Sequence, residues 1–126
     1  MILLDPHAWI WLNFNDPRLS YTAREAIAEA DTLAIAAISL WEVGMLTSKN
    51  RIELPQPLLS WLLKACEQPN LRLLPITPEV AAVSTTIPVH GDPADRLIIA
   101  TALQHACPIV TIDENIQSTK LVQTIW

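Results

Sequence analysis

The chain has 126 residues, 51% of them hydrophobic, a mean hydropathy of +0.29, five Trp and a formal net charge of -5. That length fits one domain, residues 1–126, able to bury its own core, and part of the apolar surface is expected to lie against a partner. The acidic balance argues against a duplex binder that relies on neutralising phosphates, but not against a nucleic-acid enzyme whose carboxylates attract phosphate once a cation fills them. Cys66 and Cys107 stand in no C-x-x-C arrangement and read as buried or incidental thiols of a reducing compartment. The apolar N-terminus is cut by Asp5 and His7 and lacks a basic leader, so it reads as neither signal peptide nor membrane span. A cytoplasmic location is the resulting expectation.

In chain order, Ile2-Leu3-Leu4 reads as a short buried strand, and a helix follows from Pro6 to Phe14, with Pro in the first turn. Asn15-Asp16-Pro17 is a turn, and Ser20 is the N-cap of a helix through Ala30. The unbroken apolar run Leu33 to Ile38 reads as a strand buried on both faces. Ser39 then caps a helix through Ser48, Lys49 to Pro57 is a loop, and Leu58 to Glu67 is helical. Leu71 to Ile76 is a strand, after which Thr77-Pro78-Glu79 opens a helix by cap and proline logic. Gly91-Asp92-Pro93 does the same for Ala94 to His105, and Ile109 to Ile112 and Leu121 to Ile125 read as the last strands. Strands alternate with helices throughout, which indicates an α/β domain with a mainly parallel sheet covered on both faces. Ligands of such sheets bind beyond the carboxyl ends of the strands.

Three acids fall near those ends, and a fourth, Asp95, can join them if its helix begins at the same edge. Asp5 directly follows the first strand, Asp113 follows Ile109 to Ile112, Glu42 lies one turn into the helix after Leu33 to Ile38, and Asp95 sits in the first turn of its helix. Carboxylates converging without bases repel one another. A hard divalent cation such as Mg²⁺ or Mn²⁺, which prefers oxygen ligands and keeps several waters, relieves that repulsion and promotes phosphodiester hydrolysis. Each acid also has a structural reading. Ser39-x-x-Glu42 is a capping-box pattern, Asp92 is a natural N-cap with Asp95 the favourable first-turn acid, Asp5 can cap the first helix, and Asp113-Glu114-Asn115 can be a turn. The residues alone leave the catalytic and capping readings both open.

The segments Leu3-Leu4-Asp5-Pro6-His7-Ala8-Trp9, Ser39-Leu40-Trp41-Glu42-Val43, Asp92-Pro93-Ala94-Asp95-Arg96-Leu97-Ile98-Ile99-Ala100 and Val110-Thr111-Ile112-Asp113 carry a resemblance. In order and spacing the chain resembles PIN-domain ribonucleases, and specifically the VapC-type toxins of bacterial toxin–antitoxin pairs. The resemblance implies a five-stranded parallel sheet, Mg²⁺ or Mn²⁺ dependence and endonucleolytic cleavage of RNA. It maps the active site onto Asp5, Glu42, Asp95 and Asp113, with Asp5 and Asp95 as principal metal ligands and Glu42 and Asp113 binding directly or through water. It also implies a cognate antitoxin and a homodimer. One departure stands out: the family commonly has Thr or Ser after the first acid, where this chain has Pro6.

Arg96, at the same helix end as Asp95, and the loop cations Lys49 and Arg51 are candidate contacts to substrate phosphate, each with a surface or ion-pair role as its alternative. Asp92 is favoured as a helix cap over a metal ligand. His7, His90 and His105 are scattered and favour packing or hydrogen bonding over base catalysis. Trp9 and Trp11 fall on different sides of one helix, so at least one is expected to face a partner. Rival functions remain. With only Gly44 and Gly91 there is no phosphate-binding glycine loop. A response-regulator-like switch calls for a Lys after a late strand, where Glu114-Asn115-Ile116 follows Asp113. A haloacid-dehalogenase-type phosphatase wants a second Asp at the position of His7. A non-catalytic or signalling α/β domain with a cation-binding acidic edge is the remaining alternative.

Overall fold

The computed structural model describes residues 1–89 and 92–126, so His90 and Gly91, and with them the start of the expected Gly91-Asp92-Pro93 helix opening, lie outside the described residues. Its elements run β1 (Ile2–Leu4), α1 (Pro6–Asn13), α2 (Tyr21–Glu29), β2 (Leu33–Ala36), α3 (Ala37–Ser48), α4 (Leu58–Cys66), β3 (Leu71–Leu74), α5 (Pro78–Ser84), α6 (Pro93–His105), β4 (Ile109–Val110), α7 (Glu114–Thr119) and β5 (Thr124–Ile125). The strands form one five-stranded sheet in the order β3-β2-β1-β4-β5, and every pairing is parallel. The strand order reverses between β1 and β4, which places a crevice beyond their carboxyl ends. Among the described residues no helix is long and apolar enough to cross a membrane.

Side-chain alternation divides the core into two layers. Ile2, Leu4, Leu33, Ile35 and Val110 pack with Trp9 and Ile10 of α1, Ile27 of α2 and Trp61 of α4. Leu3, Ala34, Ala36, Leu74 and Ile109 pack with Val80 of α5, Ile98 and Ile99 of α6 and Ile116 of α7. A sheet covered on both faces explains why its strands read as continuous apolar runs. Local capping agrees with the sequence at Ser20, whose Oγ accepts from the Ala23 amide, and at Thr77, whose Oγ1 accepts from Val80.

The structure corrects several expectations, and the strands read as Leu71 to Ile76, Ile109 to Ile112 and Leu121 to Ile125 are shorter, spanning Leu71–Leu74, Ile109–Val110 and Thr124–Ile125. β2 ends at Ala36 rather than Ile38, and α3 starts at Ala37 with no side-chain cap. Hydrophobicity continues unbroken through the junction, so composition alone carries no boundary there. Ser39 therefore lies inside the helix, fully buried, and among the described residues its Oγ has no hydrogen-bond partner. The expected capping box with Glu42 does not form. Asp113-Glu114-Asn115 is not an isolated turn but the start of α7, with Asp113 as N-cap. Finally, Trp9 and Trp11 are both buried. Trp9 meets the edge of Trp61 at 5.3 Å, while Trp11 packs near Trp126 at 5.8 Å under the Arg18 guanidinium at 4.9 Å. The exposed tryptophan is Trp41, at 57%.

The misplaced cap gives a test. Because the Ser39 hydroxyl is buried without a partner, Ser39→Ala should leave stability unchanged or raise it by up to ~1–3 kcal/mol in urea unfolding. Loss of a working N-cap would instead cost about 1 kcal/mol.

Candidate active site

The carboxyl ends of β1 and β4 are tied together by one hydroxyl. Asp5 ends β1 and caps α1, its Oδ1 accepting from the Ala8 amide at 2.7 Å. Its Oδ2 accepts a short hydrogen bond from Thr111 Oγ1, across from the end of β4. The same Thr111 oxygen accepts from the Asp113 amide at 3.0 Å. Asp113 in turn caps α7, with Oδ1 accepting from Asn115 at 2.8 Å and Ile116 at 3.3 Å. Asp5 is 4% exposed and held at both oxygens.

Two helices close the other sides. The helix α6 starts with Asp92 as N-cap, its Oδ1 accepting from the Ala94 amide at 2.9 Å, and Pro93 in the first turn. This places Asp95, 6% exposed, at the sheet edge. The helix α3 turns Glu42 toward the same place. Asp5, Glu42, Asp92, Asp95 and Asp113 all line a single cleft of about 380 Å³. Four of these are the acids the sequence singles out. Asp92 does more than expected, capping its helix and facing the cleft at once.

The acids strain one another. Burial, followed by the charges of Asp113, Asp92 and Asp5, pushes the Asp95 carboxyl up to about 7. Burial, then Asp92, Asp95 and Asp5, pushes Glu42 up to about 7. Burial also raises Asp5, against the hydrogen bonds from Ala8 and Thr111 that favour its charged form. Among the described residues no three acidic, His or Cys side chains close around one cation as they stand. The donor set is nevertheless oxygen only, of the hard kind that suits Mg²⁺ or Mn²⁺. The raised carboxyls identify a site short of positive charge. On donor chemistry these residues fit such an ion.

The candidate cations divide. Lys49 and Arg51 line the cleft. Arg96 does not; its Nε donates to the Val89 carbonyl at 3.0 Å, which ties it to the segment before α6. His7 lines the cleft at the foot of α1. The residue that sequence reasoning missed is Thr111. Its signal was present in Thr111-Ile112-Asp113, since alternate residues leaving a strand share one side. Pro6 brings no hydroxyl beside Asp5, but Thr111 supplies one from the neighbouring strand.

The sign of the strain is measurable. The folded values of Asp95 and Glu42 lie above their ordinary 3.8 and 4.5, so the folded protein keeps protons that the unfolded chain has released. Without metal, stability should be fullest below about pH 4 as regards these groups and fall as pH rises through about 7. At pH 8, Asp95→Asn should stabilise the metal-free protein by ~1 kcal/mol or more, since a tenfold difference in proton affinity between the folded and unfolded states corresponds to about 1.4 kcal/mol. The substitution should also flatten the pH dependence and abolish the rise in melting temperature on adding Mg²⁺. If Asp95 served only the helix dipole, the variant would be less stable by ~0.3–1 kcal/mol. Thermal melts with chelator and with Mg²⁺ separate the two.

Comparison with known proteins agrees with this architecture. The PIN domain family profile matches residues 2–121. The chain is 43% identical over 129 aligned residues to Ribonuclease VapC22 of Mycobacterium tuberculosis (strain ATCC 25618 / H37Rv), covering 99% of this chain and 98% of that protein. Among solved structures, a toxin–antitoxin complex from Klebsiella pneumoniae shares the fold at a TM-score of 0.69 and 21% identity, covering 97% of this chain and 95% of that one. VapBC2 from Rickettsia felis, bound to a DNA fragment from its promoter, does so at a TM-score of 0.70 and 17% identity, covering 98% and 97%. With a parallel sheet that carries its acids at the β1/β4 crevice, and with likeness along nearly its whole length to a VapC protein, the chain belongs to the PIN domain family, among its VapC-type members.

Proposed function

We propose that this protein is an endoribonuclease dependent on Mg²⁺ or Mn²⁺, acting as the toxin of a type II toxin–antitoxin pair. The observation that carries the reading is the convergence of Asp5, Glu42, Asp95 and Asp113 in one cleft, with Asp95 and Glu42 pushed up to about 7. Family membership and the ribonuclease name of the VapC22 relative support RNA as the substrate.

Asp5 and Asp95 are the direct ligands in this reading, and Glu42 and Asp113 bind directly or through water. A divalent cation in this position supplies Lewis acidity toward the phosphodiester and neutralises developing charge. The chain's own part is to hold the oxygens in place. The Ala8 amide and Thr111 hydroxyl fix the Asp5 carboxylate, leaving its remaining lone pairs for the cleft. The amides at the start of α7 fix Asp113 in the same way. Glu42 and Asp95 carry no such backbone anchors among the described hydrogen bonds, so α3 and the first turn of α6 aim them at the cleft. Lys49 and Arg51 offset the acidity at the mouth and receive substrate phosphate.

For the partner, a second groove adjoins the first, sharing His7, Leu46 and Arg51 with it and adding Ile10, Trp11, Phe14 and Ile52. A groove that mixes apolar side chains with Arg18 and Glu53 and opens onto carboxylates suits an amphipathic antitoxin helix that carries an Arg to the acids. A homodimer is expected from the family resemblance.

The test is incubation of the purified protein with RNA, in Mg²⁺, in Mn²⁺ and in chelator, with Asp5→Asn alongside. Cleavage should require the cation and fall by at least about 10-fold in the variant, since loss of even an outer-shell partner of a metal site typically costs about 10–100-fold. A cognate antitoxin, added in equimolar amount, should suppress it. Full cleavage in chelator would defeat the metal reading, and no cleavage in either metal would defeat the nuclease reading.

A further inference from the structure

We infer that Trp41 is a nucleobase-stacking platform and that a single RNA strand lies along α3, with a base on Trp41 and its phosphates toward Lys49 and Arg51. This rests on the nuclease reading above and specifies which residues grip the substrate.

The argument begins with an exposed tryptophan. Trp41 is the one tryptophan of the chain that is largely open to solvent, at 57%, whereas Trp9, Trp11 and Trp61 are buried and Trp126 is half-buried. It is the immediate neighbour of Glu42 and lines the same cleft as the four acids. Helical spacing places Trp41, Met45 and Lys49 in one row, four residues apart. All three line the cleft, so the row faces it. The helix runs from Trp41 to Lys49 over about 12 Å at 1.5 Å per residue. The two ends thus address different nucleotides.

The far end is built to present cations. The chain leaves α3 through Asn50, in a left-handed conformation at φ 56°. The Lys49 amide bonds back to Met45 at 3.0 Å and the Arg51 amide to Leu46 at 2.9 Å. This tight reversal returns Arg51 to the cleft wall instead of letting it trail into the loop. Both side chains are exposed, and among the described residues neither forms an ion pair. Unpaired cations beside a cluster of carboxylates, without contact to them, leave a position for a second anion.

Those features together favour RNA over a protein segment as the occupant. An aromatic face accepts any base, since every base has a π-face, and cations track the backbone. A strand bridging these two ends lies in the same cleft that Glu42 and the other acids line, where a scissile phosphate has to lie.

The experiment compares Trp41→Ala, Trp41→Phe, Lys49→Gln and Arg51→Gln on a fluorescein-labelled single-stranded RNA oligonucleotide in Mg²⁺. Steady-state kinetics and anisotropy at several salt concentrations are read together, with the oligomeric state by light scattering. Trp41→Ala should raise KM about 5- to 100-fold, in line with the usual loss of one base–aromatic stack, while changing kcat little. Trp41→Phe should recover most of that loss. Each of Lys49→Gln and Arg51→Gln should lower the slope of log affinity against log salt by about 0.7, the value for one single-strand phosphate contact. Trp41→Ala should leave the slope unchanged. An unchanged KM for Trp41→Ala, with wild type active, overturns the platform and leaves the nuclease reading standing. A changed oligomeric state accompanying lost activity also overturns it, since Trp41 then covers a protein contact. A wild-type protein that neither binds nor cleaves the RNA overturns the nuclease reading itself.

Discussion

The site depends on one constraint: several carboxylates are held close together where neither water nor a neighbouring base can neutralise them all. Asp5 and Asp95 are buried, and burial first, then the charges of neighbouring acids, pushes Glu42 and Asp95 up to about 7. Such an arrangement opposes folding. It persists because the groups that place it are paid for elsewhere, in the two apolar layers around β1 and β4. Asp5 cannot swing away, since β1 is paired on both sides and both of its carboxylate oxygens are bonded.

The same residues serve twice. Asp5, Asp92 and Asp113 each cap a helix and each line the cleft. A carboxylate has lone pairs enough to accept from a backbone amide and still face an ion. The cap fixes the side chain's direction, and the helix N-terminus tempers its negative charge. Capping a helix and facing the cleft are therefore compatible roles for one carboxylate here. Capping is the means by which acids that repel one another are aimed at the same space. Glu42 and Asp95 cap no helix; α3 and the first turn of α6 place them, and both are pushed up to about 7.

Much of this was legible in the sequence, for physical reasons that differ by element. The β1 strand, α1 and α6 announced themselves through prolines at first turns and acids at caps, which are local signals. Asp5 and Asp113 were legible because they follow strands, and Asp95 because it sits in the first turn of a helix opened by Asp92-Pro93. The β2–α3 boundary was not, because Leu33 to Ile38 is apolar on both sides of it and the helix lacks a side-chain cap. Ser39 was misread for the same reason. Thr111 was overlooked because a hydroxyl gains meaning only from its partner, and that partner, Asp5, is 106 residues away in sequence. The burial of Trp11 depends on the distant Trp126 and on Arg18, contacts that no helical periodicity reports. Arg96 looked available at a helix start, yet its bond to Val89 is a matter of tertiary placement.

The central claim is that these carboxylates form one site strained by missing positive charge. Side-chain carboxyl ¹³C NMR, with Asp95→Asn and Glu42→Gln to assign the signals, measures that strain directly. Without divalent cation, Asp95 and Glu42 should titrate with midpoints near 7, and saturating Mg²⁺ should move both well down into the ordinary carboxylate range. Midpoints near 4 in both conditions, typical of unperturbed carboxylates, would contradict the account.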